Sequence, residues 1–195
     1  MQFQGYIFDL DGTLADTMPA HYLAWRHVGD QYGLDFPEDR FYSLGGVPTA
    51  RIFEMLSKEQ GIPLDAAHAA QQKEEAFVGY LGQVDAIEPV VEVVRRHHGK
   101  VPLAVATGAM RWVMERILGQ LELTPYFQAF VASEDTQRHK PFPDVFLEAA
   151  RQLGVPPESC CVYEDADLGI EAAQAAGMQV VDVRALHTPR RITAA

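Results

Sequence analysis

Gly5-Tyr6-Ile7-Phe8-Asp9-Leu10-Asp11-Gly12-Thr13 is the stretch that decides the fold. The apolar run Tyr6-Ile7-Phe8 stops at an acid, Asp9, and the turn-forming Gly12 follows. That order predicts a short buried strand that opens into a loop. Two carboxylates two residues apart then stand at the end of the strand.

Downstream the pattern turns helical. A helix is predicted from Asp16 to about Tyr32, closed by Gly33. Further helices follow from about Pro48 to Leu81, interrupted by Gly61-Ile62-Pro63. No strand is expected between Ala15 and Gly82. Beyond that point helices and strands alternate, with strands over 101–106, 130–132, 160–163 and 179–183. Such alternation implies a parallel sheet covered by helices on both faces. The expected architecture is a Rossmann-like α/β core over 1–14 and 86–195, with an all-helical cap inserted at 15–85. The tail after Leu186 is expected to fray from the core.

The composition allows this. Of the 195 residues 48% are apolar and 22% charged, which is globular and sufficient for a core without disulfide staples. The formal net charge of −11 argues against nucleic acid or an anionic membrane as partner. The two cysteines, Cys160 and Cys161, are adjacent in a predicted strand, where successive side chains point to opposite faces. They read as small buried apolar residues in a cytoplasmic protein. No apolar run is long enough to span a bilayer, and Met1-Gln2-Phe3-Gln4-Gly5 shows no signal-peptide pattern.

In open α/β sheets ligands bind beyond the carboxyl ends of the strands. Four such ends carry polar residues: Asp9 and Asp11 after the first strand, Thr107 and Gly108 after the second, Lys140 in the loop after the third, and Glu164-Asp165 at the fourth. Clustered carboxylates repel, and a hard divalent cation such as Mg²⁺ relieves the repulsion. Asp9, Glu164 and Asp165 suit it as side-chain ligands, and Asp11 through its main-chain carbonyl. The same set suits attack on a phosphate ester. Asp9 would be the nucleophile and Asp11 the general acid and base. Lys140 would neutralise charge. The Thr107 hydroxyl, with the main-chain N–H groups of Gly108 and Ala109, would hold phosphate oxygens at a helix start.

These segments resemble the four motifs of the haloacid dehalogenase superfamily: Asp9-Leu10-Asp11-Gly12-Thr13, Thr107-Gly108, Lys140-Pro141, and Glu164-Asp165-Ala166-Asp167-Leu168-Gly169-Ile170. The helical insertion is similar to the cap of the β-phosphoglucomutase-like branch. The nearest likeness is to bacterial sugar-phosphate phosphatases of the fructose-1-phosphate phosphatase kind. It rests on the run Gly46-Val47-Pro48-Thr49-Ala50-Arg51-Ile52 and on the segment from Glu164 to Arg184. The resemblance implies a small phosphorylated substrate met by cap residues His21, Trp25, Gly46 and Arg51. The mutase grips a second phosphate with a lysine and an arginine in its cap loop. Gly45 and Thr49 stand at the matching positions, which favours hydrolysis over the mutase reaction. Dehalogenation is disfavoured because Asp11 is present.

Each motif also has a plainer reading. Asp9–Thr13 could open a calcium loop, but the twelfth position is Ala20 and a strand precedes it. Glu164 and Asp165 could only cap a helix, Lys140 could be a surface lysine, and Trp25 with His21 could be cap packing. Glu134 and Asp135 read as caps of a local turn. A phosphatase, a phosphosugar mutase and a non-catalytic metabolite sensor all stay open, and oligomeric state is not legible.

Overall fold

The computed structural model describes residues 3–44 and 47–192. The chain divides into two compact units, Met1–Asp16 with Asp85–Thr188 and Thr17–Val84 with Pro189–Ala195.

The first unit is built on a five-stranded parallel sheet. Its strands are β1 (Gly5–Phe8), β4 (Leu103–Ala106), β5 (Ala129–Val131), β6 (Cys160–Glu164) and β7 (Gln179–Asp182), in the order β5-β4-β1-β6-β7. The remaining strands, β2 (Ala15–Asp16) and β3 (Asp85–Ala86), form a separate two-residue antiparallel ladder. Helices α5 (Glu88–His97), α6 (Arg111–Gln120), α7 (Asp144–Leu153) and α8 (Asp167–Ala175) belong to this unit.

β1 and β4 are buried at every position, as consecutive apolar residues require in a doubly covered sheet. Alternation then sorts their side chains. Ile7, Ala104, Ala106 and Val162 pack with Val145, Phe146 and Ala149 of α7 and Ala172 and Ala173 of α8. Tyr6 and Phe8 point the other way, where Phe8 stacks on Tyr163 at 5.1 Å and Tyr6 meets His97 at 4.3 Å. Cys160 and Cys161 are both buried and free, and burial pushes each thiol up to about 11.

β1 is the switch point of the sheet, with β4 on one side and β6 on the other. The register pairs Phe8 with Val105 and with Tyr163. The chain therefore leaves β1 at Asp9 beside the carboxyl ends of both neighbours, where a ligand crevice is expected.

The second unit holds α1 (Met18–Tyr32), α2 (Glu38–Ser43), α3 (Thr49–Gln60) and α4 (Ala66–Tyr80). α1 starts with Pro19 in its first turn and stops at Gly33, which takes the left-handed conformation with φ 72°. Asp65 caps α4 by accepting the N–H groups of Ala67 and His68 at 3.1 and 3.0 Å. The core of this unit is Tyr22, Trp25, Val28, Phe36, Phe41, Ile52, Phe53 and Leu56. None of the helices is long and apolar enough to cross a membrane among the described residues.

Three features depart from the sequence expectation. The ladder at Ala15–Asp16 is a strand where none was expected, too short to show any periodicity. α2 has six residues and falls in a stretch the sequence pattern left unassigned. The tail groups with the helices rather than with the sheet. The Tyr42 hydroxyl donates to the Arg190 carbonyl at 3.1 Å, and the Arg191 guanidinium lies 3.9 Å over the Tyr42 ring and 3.2 Å from Asp39. The Ile192 N–H donates to the buried Glu38 carboxylate at 2.7 Å.

Candidate active site

Asp9, Asp11, Thr107, Lys140, Glu164 and Asp165 all belong to the sheet unit. Asp9 follows β1 directly, and its N–H donates to the Tyr163 carbonyl at 3.0 Å, extending the β1–β6 pairing by one step. This fixes its side chain at the mouth of the crevice, where it is only 5% exposed. Lys140 reaches it from the loop before α7. Its ammonium stands 2.6 Å from Asp9 Oδ1 and 3.5 Å from Glu164 Oε1, with the Phe146 ring 5.0 Å below.

The loop after Asp9 is a tight turn. Leu10 accepts the N–H groups of Thr13, Leu14 and Ala15, and Gly12 donates to the Ala15 carbonyl at 2.8 Å. Gly12 has φ +81°, and a Cβ there would fall 2.2 Å from Asp165 Oδ2, so only glycine fits. Thr13, fully buried, donates its hydroxyl to Asp165 Oδ1 at 3.2 Å. On the far side Gly169 leaves room for Glu164: a Cβ would fall 1.7 Å from Glu164 Oε1.

Asp9, Glu164 and Asp165 can bring one oxygen each within 4.8 Å of one another. Their electrostatics reflect the crowding. Burial, and then the neighbouring Asp11, push Asp9 up against the opposing pull of Lys140. Burial and the Asp9 charge drive Glu164 well up, and the same two causes bring Asp165 to about 7. Burial works against the Lys140 charge, yet Asp9 and Glu164 outweigh it and hold the ammonium firmly protonated. One lysine does not neutralise this group of carboxylates. Glu164 Oε2 is buried and accepts no hydrogen bond from the described residues. A hard divalent cation fits such a donor set, since it takes oxygen ligands and lowers the cost of their shared charge.

Thr107 closes the other side. It is buried at the end of β4, donates its N–H to Val131 at 2.9 Å, and accepts the Ala109 N–H on its hydroxyl at 3.0 Å. Gly108 and Ala109 do not lie in the helix start itself. α6 begins at Arg111, and its first N–H is already taken by both oxygens of Glu134, at 3.1 Å each. Glu134 thus occupies that helix end, and the Gly108 and Ala109 N–H groups stand in the loop just before it.

The structure thus brings Asp9, Asp11, Thr107, Lys140, Glu164 and Asp165 into one unit and one strand-end cluster. The residues expected to face substrate from the helices form no such cluster among themselves. Trp25 is a core residue, 3% exposed, set between Phe53 at 4.2 Å and Phe36 at 5.0 Å. Its plain packing reading prevails. Arg51 is exposed and paired with Glu54 at 2.7 Å, one helical turn away. His21 stacks on Phe77 at 3.9 Å and meets Lys73 Nζ at 2.8 Å. Gly46 lies outside the described residues. Sequence reasoning gave no role to Thr13 or Gly169, and to Gly12 only that of forming the turn. Their signal was their place inside the first and fourth motifs.

The chain belongs to the haloacid dehalogenase-like hydrolase family, whose profile matches residues 6–183. It is 44% identical over 187 residues to fructose-1-phosphate phosphatase YqaB of Escherichia coli, covering 95% of this chain and 98% of that protein. It is 31% identical to a phosphorylated carbohydrates phosphatase of Thermotoga maritima, over 90% of this chain and 82% of the relative. The crystal structure of β-phosphoglucomutase from Clostridium difficile shares the fold, with a TM-score of 0.75 at 24% identity, covering 93% and 84% of the two chains. The chain is an enzyme of this hydrolase family.

Proposed function

We propose that this chain is a Mg²⁺-dependent phosphatase of small phosphorylated metabolites, with sugar phosphates such as fructose 1-phosphate as its substrates. The observation that carries the reading is the placement of Asp9. It is a buried carboxylate at the sheet's switch point, 2.6 Å from Lys140 and beside the two acids Glu164 and Asp165. Its resemblance to a fructose-1-phosphate phosphatase at 44% identity supports the substrate class.

An Asp9 oxygen attacks phosphorus, the ester P–O bond breaks, and the leaving alkoxide takes a proton from Asp11. The phosphoryl group then rests on Asp9 as an acyl phosphate. Asp11, now ionised, takes a proton from water; the water oxygen attacks phosphorus, and phosphate leaves with Asp9 restored. Lys140 pulls Asp9 toward its anionic form and balances the phosphoryl oxygens. The Thr107 hydroxyl and the Gly108 main chain orient them. Asp9, Glu164 and Asp165, with the Asp11 carbonyl, would hold the cation. Bound there, Mg²⁺ supplies positive charge to the ligand oxygens and the phosphoryl group. The resemblance assigns sugar recognition to His21 and Arg51 of the helical unit. A cytoplasmic site of action belongs to the same reading, supported by the two free buried thiols.

Phosphate release from a panel of sugar phosphates with Mg²⁺, for wild type and Asp9→Asn, tests this. Release by wild type alone is the expected outcome. An isomerised sugar phosphate that forms only with added bisphosphate would favour the mutase. Metabolite binding without turnover would favour a sensor.

A further inference from the structure

Residues 108–112 contribute no buried side chain between buried Thr107 and Val113. Gly108 has open space where a Cβ would stand, and Met110 is 54% exposed. Packing therefore does not fix this loop, although its main chain carries groups that would face the phosphoryl oxygens. Hydrogen bonds from one neighbour do fix it. That neighbour is the short turn Ser133–Asp135, which follows β5.

The bonds form a closed clasp. Ser133 donates its N–H to the Ala109 carbonyl at 3.0 Å. Both Glu134 oxygens accept the Arg111 N–H. The Arg111 guanidinium returns across the gap to Asp135 at 2.5 Å and to the Phe130 carbonyl at 3.4 Å. Asp135 also accepts the Ala132 N–H at 2.8 Å, so the turn is itself tied to the end of β5. A carboxylate at the first N–H of α6 is favoured by the positive end of the helix. The Glu134 carboxyl is accordingly held below its usual range, by its own main-chain N–H first and then by that of Arg111.

We propose that Glu134, Arg111 and Asp135 are positioning residues that hold residues 107–110 in the shape that grips phosphate; the inference rests on the phosphatase reading above. None of the three touches substrate. They act by fixing where the Gly108 main chain and the Thr107 hydroxyl stand, and an ångström of drift in such groups is costly.

The test compares wild type with Glu134→Ala, Glu134→Gln, Arg111→Ala and Arg111→Lys. Each is titrated calorimetrically with inorganic phosphate in Mg²⁺, assayed on a sugar phosphate, and melted. Both alanine variants should weaken phosphate binding and raise KM by on the order of tenfold, with kcat and melting temperature changed far less. Glu134→Gln, which keeps an acceptor for the Arg111 N–H, should recover most of the affinity. Arg111→Lys, which keeps the charge but loses the fork to Asp135 and Phe130, should behave like Arg111→Ala. Phosphate affinity and KM unchanged in both alanine variants would overturn the proposal, as would a lowered melting temperature with KM unchanged. If wild type hydrolyses nothing, the phosphatase reading fails. The titration still decides the clasp, because unaltered phosphate affinity in the variants, or none in wild type, overturns it.

Discussion

Replacing Gly169 by alanine adds one methyl group where Glu164 already stands. Helix propensity alone predicts a gain, up to about 1 kcal/mol for glycine to alanine within a helix. The local geometry predicts a loss. The new Cβ would lie 1.7 Å from Glu164 Oε1, 2.1 Å from Cδ and 2.4 Å from Cγ. All three lie far inside van der Waals contact, so the whole carboxylate must leave its place. It is 1% exposed and has no solvent to swing into, and it would give up its 3.5 Å approach to Lys140. Overpacking of a filled site costs about 1–3 kcal/mol, and an overlap this deep belongs at the upper end. The net expectation is a loss of about 2 kcal/mol, or roughly 4–8 °C in melting temperature for a chain of this size. Activity should fall on the order of a hundredfold, with more Mg²⁺ needed to reach its plateau. Gly79→Ala in α4 and Gly119→Ala in α6 are the controls, since nothing stands within 4 Å of either new methyl group. Melting curves and Mg²⁺ titrations of all three decide the matter. A Gly169→Ala protein that melts higher than wild type and needs no more Mg²⁺ would refute the steric argument.

Trp25→Ala should cost about 3–5 kcal/mol, because the indole fills the space between Phe53 and Phe36. Denaturant melts read it; a raised KM with unaltered stability would instead return Trp25 to substrate contact. Ending the chain at Thr188 removes the Arg191 contacts with Tyr42 and Asp39 and the Ile192 bond to Glu38. The helical unit should lose about 1–3 kcal/mol and be cut faster by protease, and an unchanged cleavage rate would show the tail to be idle. The Cys160 and Cys161 thiols, pushed up to about 11 by burial, stay protonated at any pH well below that value. A disulfide reagent at mildly alkaline pH should label them only after unfolding, and prompt labelling of the native protein would contradict their burial.

What the sequence disclosed depended on how local each signal was. The strand Tyr6-Ile7-Phe8 and the acid after it sit side by side, so the order of residues showed both the buried strand and its functional end. The helix stop at Gly33 is equally local. Thr13 to Asp165, by contrast, is a hydrogen bond between residues 152 apart, and no nearby pattern marks it. Glu134 showed the same limit. Its position fits a local cap, and its partner Asp135 does cap Ala132, yet Glu134 itself reaches Arg111, 23 residues back. The helical unit was harder still. The periodicity that put Trp25 on a helix left open which face of that helix is buried. The packing of Phe36 and Phe53 against it settles that choice.

The acidic character of the chain looks unsuited to the anionic substrate proposed above, and the distribution of its charges contains the conflict. Many of the acids outside the crevice are half-buried or exposed and matched nearby. Glu148 pairs with Arg151, Asp144 with Arg138, and Asp182 and Asp167 with Arg184. Fields from such solvated groups fade beyond about 8–10 Å at ordinary salt. In the crevice the balance differs, because water is largely excluded and each charge counts for more. There Asp9, Glu164 and Asp165 crowd one lysine, and burial penalises every one of the carboxylates. The same crowding that would repel a phosphate suits the cluster to a divalent cation. A divalent cation bound there would cancel the charge that Lys140 leaves unbalanced, while the outer surface stays acidic. Binding of an anionic substrate would thus be compatible with a net charge of −11, since the cancellation is confined to a few buried atoms at the end of β1 and β6.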